Sequence, residues 1–289
     1  MKHSSRPLLS IAITWLLLAA MLGASGCNSV KLAYRFVDTA LEKVVDPYLA
    51  DDASKRVAAQ EIDRFKLWLK KGVMPDAAAA LEQVGRPLAL GQLDRAGFAR
   101  WFASLAPLWN RVARQVSVHS AIVLERHTSS TQLAHLRRAM RASDQKRLAK
   151  MRRPRVERLR DRTKRTVKTF ERFSGNFEKR QWPVVWLQHE RLLESPEHWL
   201  RNQRLRQRAL LAFLATHPAR AQIRAFVERL LTRPAALSEP GYAAFARAQL
   251  RGTEAMLFNI VASMTAQQRA MLALRLLALA KDLRELSRS

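Results

Sequence analysis

Residues 94–124 read DRAGFARWFASLAPLWNRVARQVSVHSAIVL. Phe98, Trp101, Phe102, Leu105, Leu108, Trp109 and Val112 recur at intervals of three and four, which lines large apolar side chains along one side of an α-helix. Asp94 stands where an N-cap accepts from backbone amides. Pro107 has no amide hydrogen for the helical ladder, so two helices or a kink are expected there. Beyond this stretch, β-branched alternating runs are nearly absent, and the 289 residues include only 9 Gly and 11 Pro. The expected fold is all-α, a multi-helix bundle.

The same periodicity extends in both directions. Leu32, Phe36, Val37, Leu41, Val44, Val45 and Leu49 mark a helical segment that Pro47 ends or kinks. Ser54 is a candidate N-cap for a helix through Phe65 to Gly72, and Asp76 for a short Ala-rich helix ending near Pro87. Ser129-Ser130-Thr131-Gln132 and Thr265-Ala266-Gln267-Gln268 both read as capping boxes, the hydroxyl accepting from the amide three residues on and the Gln side chain bonding back. Ser195-Pro196 starts another helix. Further helices are expected at about 219–232, 240–262 and 266–286.

Residues 143–180 form a basic segment. Between 146 and 180, fifteen Lys and Arg face four acids, with a thin apolar stripe of Met151, Leu159, Val167, Phe170 and Phe173. This predicts one long, Arg/Lys-rich exposed helix that projects from the bundle or lies across it, with Pro154 near its start or at a kink. Arg155, Arg158, Arg162 and Arg165 are its candidate anion-binding residues; a solvated face is the alternative. Trp182, Trp186 and His189 then share a helical face, either as core or as an aromatic patch.

The N-terminus has its own grammar. Lys2 and Arg6 precede an apolar run from Leu8 to Leu22, roughly 22 Å long as a helix and so short of the ~30 Å hydrocarbon slab. Gly23-Ala24-Ser25-Gly26-Cys27 follows. The pattern resembles a bacterial lipobox, which implies a signal peptide over 1–26, cleavage between Gly26 and Cys27, lipidation of Cys27 with palmitate among its acyl chains, and a mature helical domain over 27–289. An ordinary signal peptide that happens to contain a cysteine, or an uncleaved anchor, is the alternative. Asn28 replaces the Asp that marks inner-membrane retention, so the resemblance places the protein on the outer membrane, facing the periplasm.

The compartment governs the reading of the charge, +27 over the whole chain. Nucleic acid is not expected as a partner of an exported protein. The expected partners are the membrane, reached through the lipid on Cys27, and anionic lipid, lipopolysaccharide, peptidoglycan or envelope proteins. An Arg-rich composition on solvated faces is the bland alternative.

Chemistry is sparse. Cys27 is the only cysteine, so lipidation leaves no free thiol for a disulfide, a thiolate metal site or a nucleophile. His189-Glu190 begins like a zinc-protease motif, but Leu193 stands where the second histidine belongs. Asp51-Asp52 is a carboxylate pair beside a turn, where such pairs are solvated. No Gly-rich phosphate loop or nucleophile elbow occurs. No enzyme, cofactor or metal is expected.

From Cys27-Asn28-Ser29-Val30-Lys31-Leu32-Ala33-Tyr34 through Val45-Asp46-Pro47-Tyr48-Leu49, the mature start resembles a proteobacterial lipoprotein family of unknown function with repeated Leu-Thr-x-x-Gln helix starts. Those starts correspond here to Ser129–Leu136 and Met264–Leu272, with Thr128 and Met264 in place of the Leu. The resemblance implies no activity. The Thr-x-x-Gln cue is also similar to Spy/CpxP-type periplasmic chaperones, which implies a lipid-tethered binder of unfolded or acidic envelope proteins. The primary reading is a membrane-anchored, non-catalytic envelope binding or structural protein.

Overall fold

The computed structural model describes residues 34–192 and 196–289. The expected signal peptide over 1–26, Cys27, Leu193 and the expected cap at Ser195 lie outside them. In chain order the helices are α1 (Val37–Val45), α2 (Asp52–Gly72), α3 (Met74–Ala89), α4 (Arg95–Leu124), α5 (Ser130–Met151), α6 (Arg155–Ser174), α7 (Gln181–Arg191), α8 (Pro196–Leu214), α9 (Arg220–Thr232), α10 (Tyr242–Ala262) and α11 (Ala266–Arg288). Short 3-10 turns follow α1 at Asp46–Tyr48 and α9 at Pro234–Leu237. Among the described residues there is no strand, and no helix is long and apolar enough to cross a membrane. The fold is an all-α bundle.

Asp94 caps α4 as expected, accepting from Gly97 N–H at 2.7 Å. The helix then runs unbroken through Pro107, where two helices or a kink were expected. Pro107 and Ala103, whose carbonyl loses its partner, are both exposed, so water can satisfy the orphaned oxygen. The same reason lets α3 continue past Pro87, with Gln83 four residues back exposed. Two caps move. Asp51, not Ser54, caps α2, its carboxylate accepting from Ser54 N–H at 2.7 Å. Asp76 falls in the first turn of α3 and pairs with Arg111 at 2.5 Å.

The basic segment is divided between two helices. Pro154 occupies the N-cap position of α6, because a residue without an amide hydrogen fits a helix start and not its interior. Arg158 ties the break together, its guanidinium donating to the carbonyls of Met151 and Arg153, each at 2.7 Å. Past the break, Leu159, Thr163, Val167 and Ser174 are buried, so α6 lies across the bundle. Gly175 ends it with φ +81°, a left-handed conformation that favours glycine.

Among the described residues, apolar faces meet in four clusters. The central one joins Val84, Phe98, Val167, Val185, Ile260 and Leu272 from six helices. A second joins α4, α5, α8 and α9 through Ala121, Leu136, Met140, Leu211, Leu214 and Ile223. α3 and α11 pack along a seam of Met74 and Ala78 against Leu279, Ala280 and Leu283. Small side chains allow that close approach; a Cβ on Gly85 would sit 3.2 Å from Leu277. Arg284 closes its edge with two bonds to Glu82, at 2.8 and 3.0 Å. Phe65 and Leu69 of α2 meet Trp109, Val112 and Ala113 of α4 in the fourth.

Candidate anion-binding groove

The four arginines singled out on α6 do not share one task. Arg155 approaches Glu190 at 3.8 Å, Arg158 serves the interhelix break, Arg162 is half-buried and Arg165 is exposed. Nearby acids are drawn to Arg153, which meets Glu157 at 3.1 Å and Asp161 at 2.6 Å and holds the Asp161 carboxyl below the usual carboxylate range. The aromatic face also splits. His189 is buried and hydrogen-bonded to Thr166 at 2.8 Å, whereas Trp186 is half-buried and Trp182 exposed.

Basic side chains converge instead between α5 and α8. The two helices bound a groove of about 640 Å³ whose walls carry Arg137 and Arg141 on one side and Arg204 and Arg208 on the other. Each pair is spaced i,i+4, one helical turn. Arg137, Arg141 and Arg208 are exposed and form no ion pair among the described residues. Met140, Leu211, Ala212 and Ala215 supply an aliphatic lining.

Asp144 organises one end of the groove. It is only 6% exposed and accepts from Gln203 Nε2 at 2.9 Å, Arg204 Nε at 3.1 Å and Gln207 Nε2 at 3.4 Å. Its charge is thus committed to positioning Arg204 and the two amides. Beside it, the Arg147 guanidinium stacks 3.7 Å from the centre of the Trp199 ring, and burial lowers its pKa. Arg147 Nε and Gln203 Oε1 are buried without a hydrogen-bond partner among the described residues. Four arginines against one spoken-for carboxylate make the groove a place where an anion is attracted and can be hydrogen-bonded.

Other buried polar groups hold the scaffold. Glu61, 3% exposed, accepts from Arg64 and meets His119 Nδ1 at 2.7 Å, joining α2 to α4. Asp51 receives the side chain of Gln132, so at α5 only half the expected capping box forms: Ser129 accepts from Gln132 N–H at 3.3 Å, and the Gln side chain ties two helix starts together. These bonds hold the Asp51 carboxyl below its ordinary value, the Ser54 backbone amide contributing most and Gln132 next. Among the described residues no three His, Cys, Asp or Glu side chains are grouped to hold a metal ion.

His127 links this scaffold to pH. Its Nδ1 bonds the Val123 carbonyl at 2.9 Å, while Nε2 is buried without a partner among the described residues. Burial holds its pKa below the ordinary 6.5, with His135 adding to the depression and the Val123 bond and Asp51 opposing it. The folded state therefore keeps His127 neutral at pH values where the unfolded chain already takes up a proton. That contribution to stability is complete above about pH 6.5 and is lost as pH falls through the folded value. Urea midpoints measured between about pH 7 and pH 5 should fall in the wild type and fall less in His127→Gln.

The groove was readable only in part. The i,i+4 pairs Arg137/Arg141, Gln203/Gln207 and Arg204/Arg208 are visible in the sequence, but the density of charge between 146 and 180 draws attention away from them. No curated protein and no solved structure matches the chain significantly. The model of a family of unknown function matches residues 48–243, a span that includes both walls of the groove and the Ser129 helix start but neither Cys27 nor α11. Over that span, and so over most of its length, the chain belongs to DUF6279, a family of unknown function.

Proposed function

We propose that this chain is a lipid-anchored bacterial envelope protein that acts by binding an anionic envelope component rather than by catalysis. The groove between α5 and α8 carries the reading, because Arg137, Arg141 and Arg208, exposed and without an ion pair among the described residues, line a concave site. The sequence around Cys27 supports the location. Tyr34 lies seven positions after Cys27 in the sequence, a reach of at most ~25 Å. Tyr34 is itself held to the bundle, its hydroxyl donating to the Lys66 carbonyl at 3.0 Å with the Lys66 ammonium over its ring. A lipid on Cys27 therefore keeps the basic bundle close to a bilayer, on the reading of Asn28 the periplasmic face of the outer membrane. Two or three acyl chains hold such an anchor firmly, whereas one binds marginally.

Palmitate labelling of cells expressing the full chain tests the anchor. Wild type should incorporate label and be cleaved before Cys27; Cys27→Ser should do neither and stay at precursor length. Normal processing of Cys27→Ser, or a wild type without label, overturns the anchor. The binding role predicts that the mature protein in neutral detergent cosediments with peptidoglycan sacculi or anionic vesicles at low salt. Release is expected near 0.5 M salt, where screening shortens electrostatic reach to roughly 4 Å. Absence of binding to every anionic fraction overturns that role.

A Spy/CpxP-like tethered chaperone is the second reading. Its support is a wholly apolar pocket of about 150 Å³, lined by Phe98, Trp101, Phe170 and Phe173 among others. That volume suits one client side chain, which ranks it behind the basic groove.

A further inference from the structure

We propose that the α5/α8 groove binds one anionic phospholipid, its phosphate between the arginine walls and the first part of its acyl chain on the aliphatic lining. The inference rests on the reading of the chain as an anion-binding envelope protein and names the ligand class of that site.

Two features favour an amphiphile over a purely ionic ligand. The charged groups line both walls, Arg137 and Arg141 on α5 and Arg204 and Arg208 on α8, while Met140, Leu211, Ala212 and Ala215 provide apolar surface between and beyond them. The Asp144 carboxylate marks one end, and apolar residues of α8 extend toward the other, where Arg137 stands on the α5 wall. Asp144 meets Gln203, Arg204 and Gln207, whereas Met140 packs in the same cluster as Leu211. Along α8 the distance from Arg204 to Ala215 is roughly 16 Å, the length of a phosphate headgroup with several methylenes. A glycan or acidic peptide would find charge here, but aliphatic surface where it needs hydrogen-bond partners. A phosphodiester supplies oxygens for the guanidinium forks, and its acyl chain takes the remaining surface out of water.

The chain's position agrees with this occupant. α5 packs against the Asp46–Tyr48 turn, with His135 Nε2 3.1 Å from the Pro47 carbonyl and Tyr48 beside the same apolar cluster. The groove thus sits on the part of the bundle joined to the N-terminal helix that leads back to Cys27.

Calorimetric titration of the mature acylated protein in neutral detergent, with dihexanoylphosphatidylglycerol below its micellar concentration, tests the proposal. Dihexanoylphosphatidylcholine has the same acyl chains without net charge, and glycerol 3-phosphate carries the phosphate alone. Both should bind at least about tenfold more weakly, the choline lipid because its trimethylammonium is repelled by the arginines and glycerol 3-phosphate because it has no acyl chain to leave water. Arg137→Glu/Arg141→Glu/Arg208→Glu should lower affinity for the glycerol lipid at least about a hundredfold. Lys164→Glu/Arg165→Glu/Lys168→Glu, an equal charge change on exposed α6 positions, should leave it within about threefold. Ala212→Trp fills the lining without altering charge and should weaken the lipid about tenfold while leaving glycerol 3-phosphate unchanged.

Equal losses in the two triple variants would mean attraction by net charge, and the groove assignment falls. Glycerol 3-phosphate binding as tightly as the lipid removes the acyl chain from the proposal and overturns it. Binding of soluble peptidoglycan fragments with higher affinity than the lipid, abolished by the groove variant, overturns the lipid and keeps the anion-binding role. If the protein cosediments with sacculi in a salt-dependent way yet takes no lipid, the lipid assignment alone fails. If it does neither, both readings fail.

Discussion

Gln268→Ala is expected to cost about 3 kcal/mol, from roughly 1–3 kcal/mol for each buried polar group left without its partner, together with the lost half of a capping box. At about 2–4 °C per kcal/mol for a chain of this size, the melting temperature should fall by roughly 6–12 °C. Gln268 is 6% exposed and uses both ends of its amide. Oε1 accepts from Thr265 N–H at 2.9 Å and from Gln181 Nε2 at 2.8 Å. Nε2 donates to the Asn176 carbonyl at 2.7 Å and to Gln181 Oε1 at 3.0 Å. One side chain thus completes the start of α11, pins the α6–α7 connection and pairs with the start of α7. Gln268→Met restores volume without hydrogen bonds and should melt nearer to alanine than to wild type. A methionine variant as stable as wild type would show that the loss was packing alone.

Ile260→Ala should destabilise by about 2–5 kcal/mol, the transfer cost of the lost methyl groups plus that of the cavity left behind. Ile260 is fully buried in the central cluster, which draws on α3, α4, α6, α7, α10 and α11. Helices arriving from several directions cannot all move inward to close the gap, so the upper half of that range is expected. Leu274→Ala provides the contrast: Leu274 lies on α11 at 68% exposure, and its truncation should change stability by no more than ~0.5 kcal/mol. Urea denaturation should show a lower midpoint for Ile260→Ala with an unchanged slope, because the same surface is exposed on unfolding. Similar midpoints for the two variants would displace the core from where the fold puts it.

Most helix boundaries were legible because their causes are local. Asp94, Ser129 and Thr265 each accept from the amide three residues on, and a contact within one turn needs no knowledge of the rest of the chain. The prolines were harder. Pro107 and Pro87 look alike in sequence to Pro154, yet the first two are carried inside helices and the third separates α5 from α6. Each of the two interior prolines orphans a carbonyl on an exposed residue. Exposure is a property of the packed bundle.

The tolerance of Gln132 shows the same boundary. Its spacing from Ser129 predicts that the Gln132 amide oxygen accepts from the N-cap N–H, but Asp51 lies within reach once α2 and α5 are packed, and the Gln132 amide nitrogen donates to its carboxylate instead. Asp51 itself reads as a solvated acid in sequence and becomes a cap and a tie in the fold.

By itself, the sequence in 94–124 and its neighbours determined that this protein is helical, where most helices start, and that its surface is strongly basic. Periodicity and capping depend on residues up to four apart, so they survive without tertiary information. Which basic residues act together was decided only by the tertiary structure. The density of Arg and Lys pointed to 146–180, but there Arg153 takes up Glu157 and Asp161, Arg155 approaches Glu190 and Arg158 bonds the carbonyls of the interhelix break. Arg137, Arg141 and Arg208, without ion pairs among the described residues, line one groove between α5 and α8, whose contacting residues Asp144 and Gln203 are 59 positions apart. Helical spacing fixes the face on which a charge stands; only packing chooses the face that stands opposite.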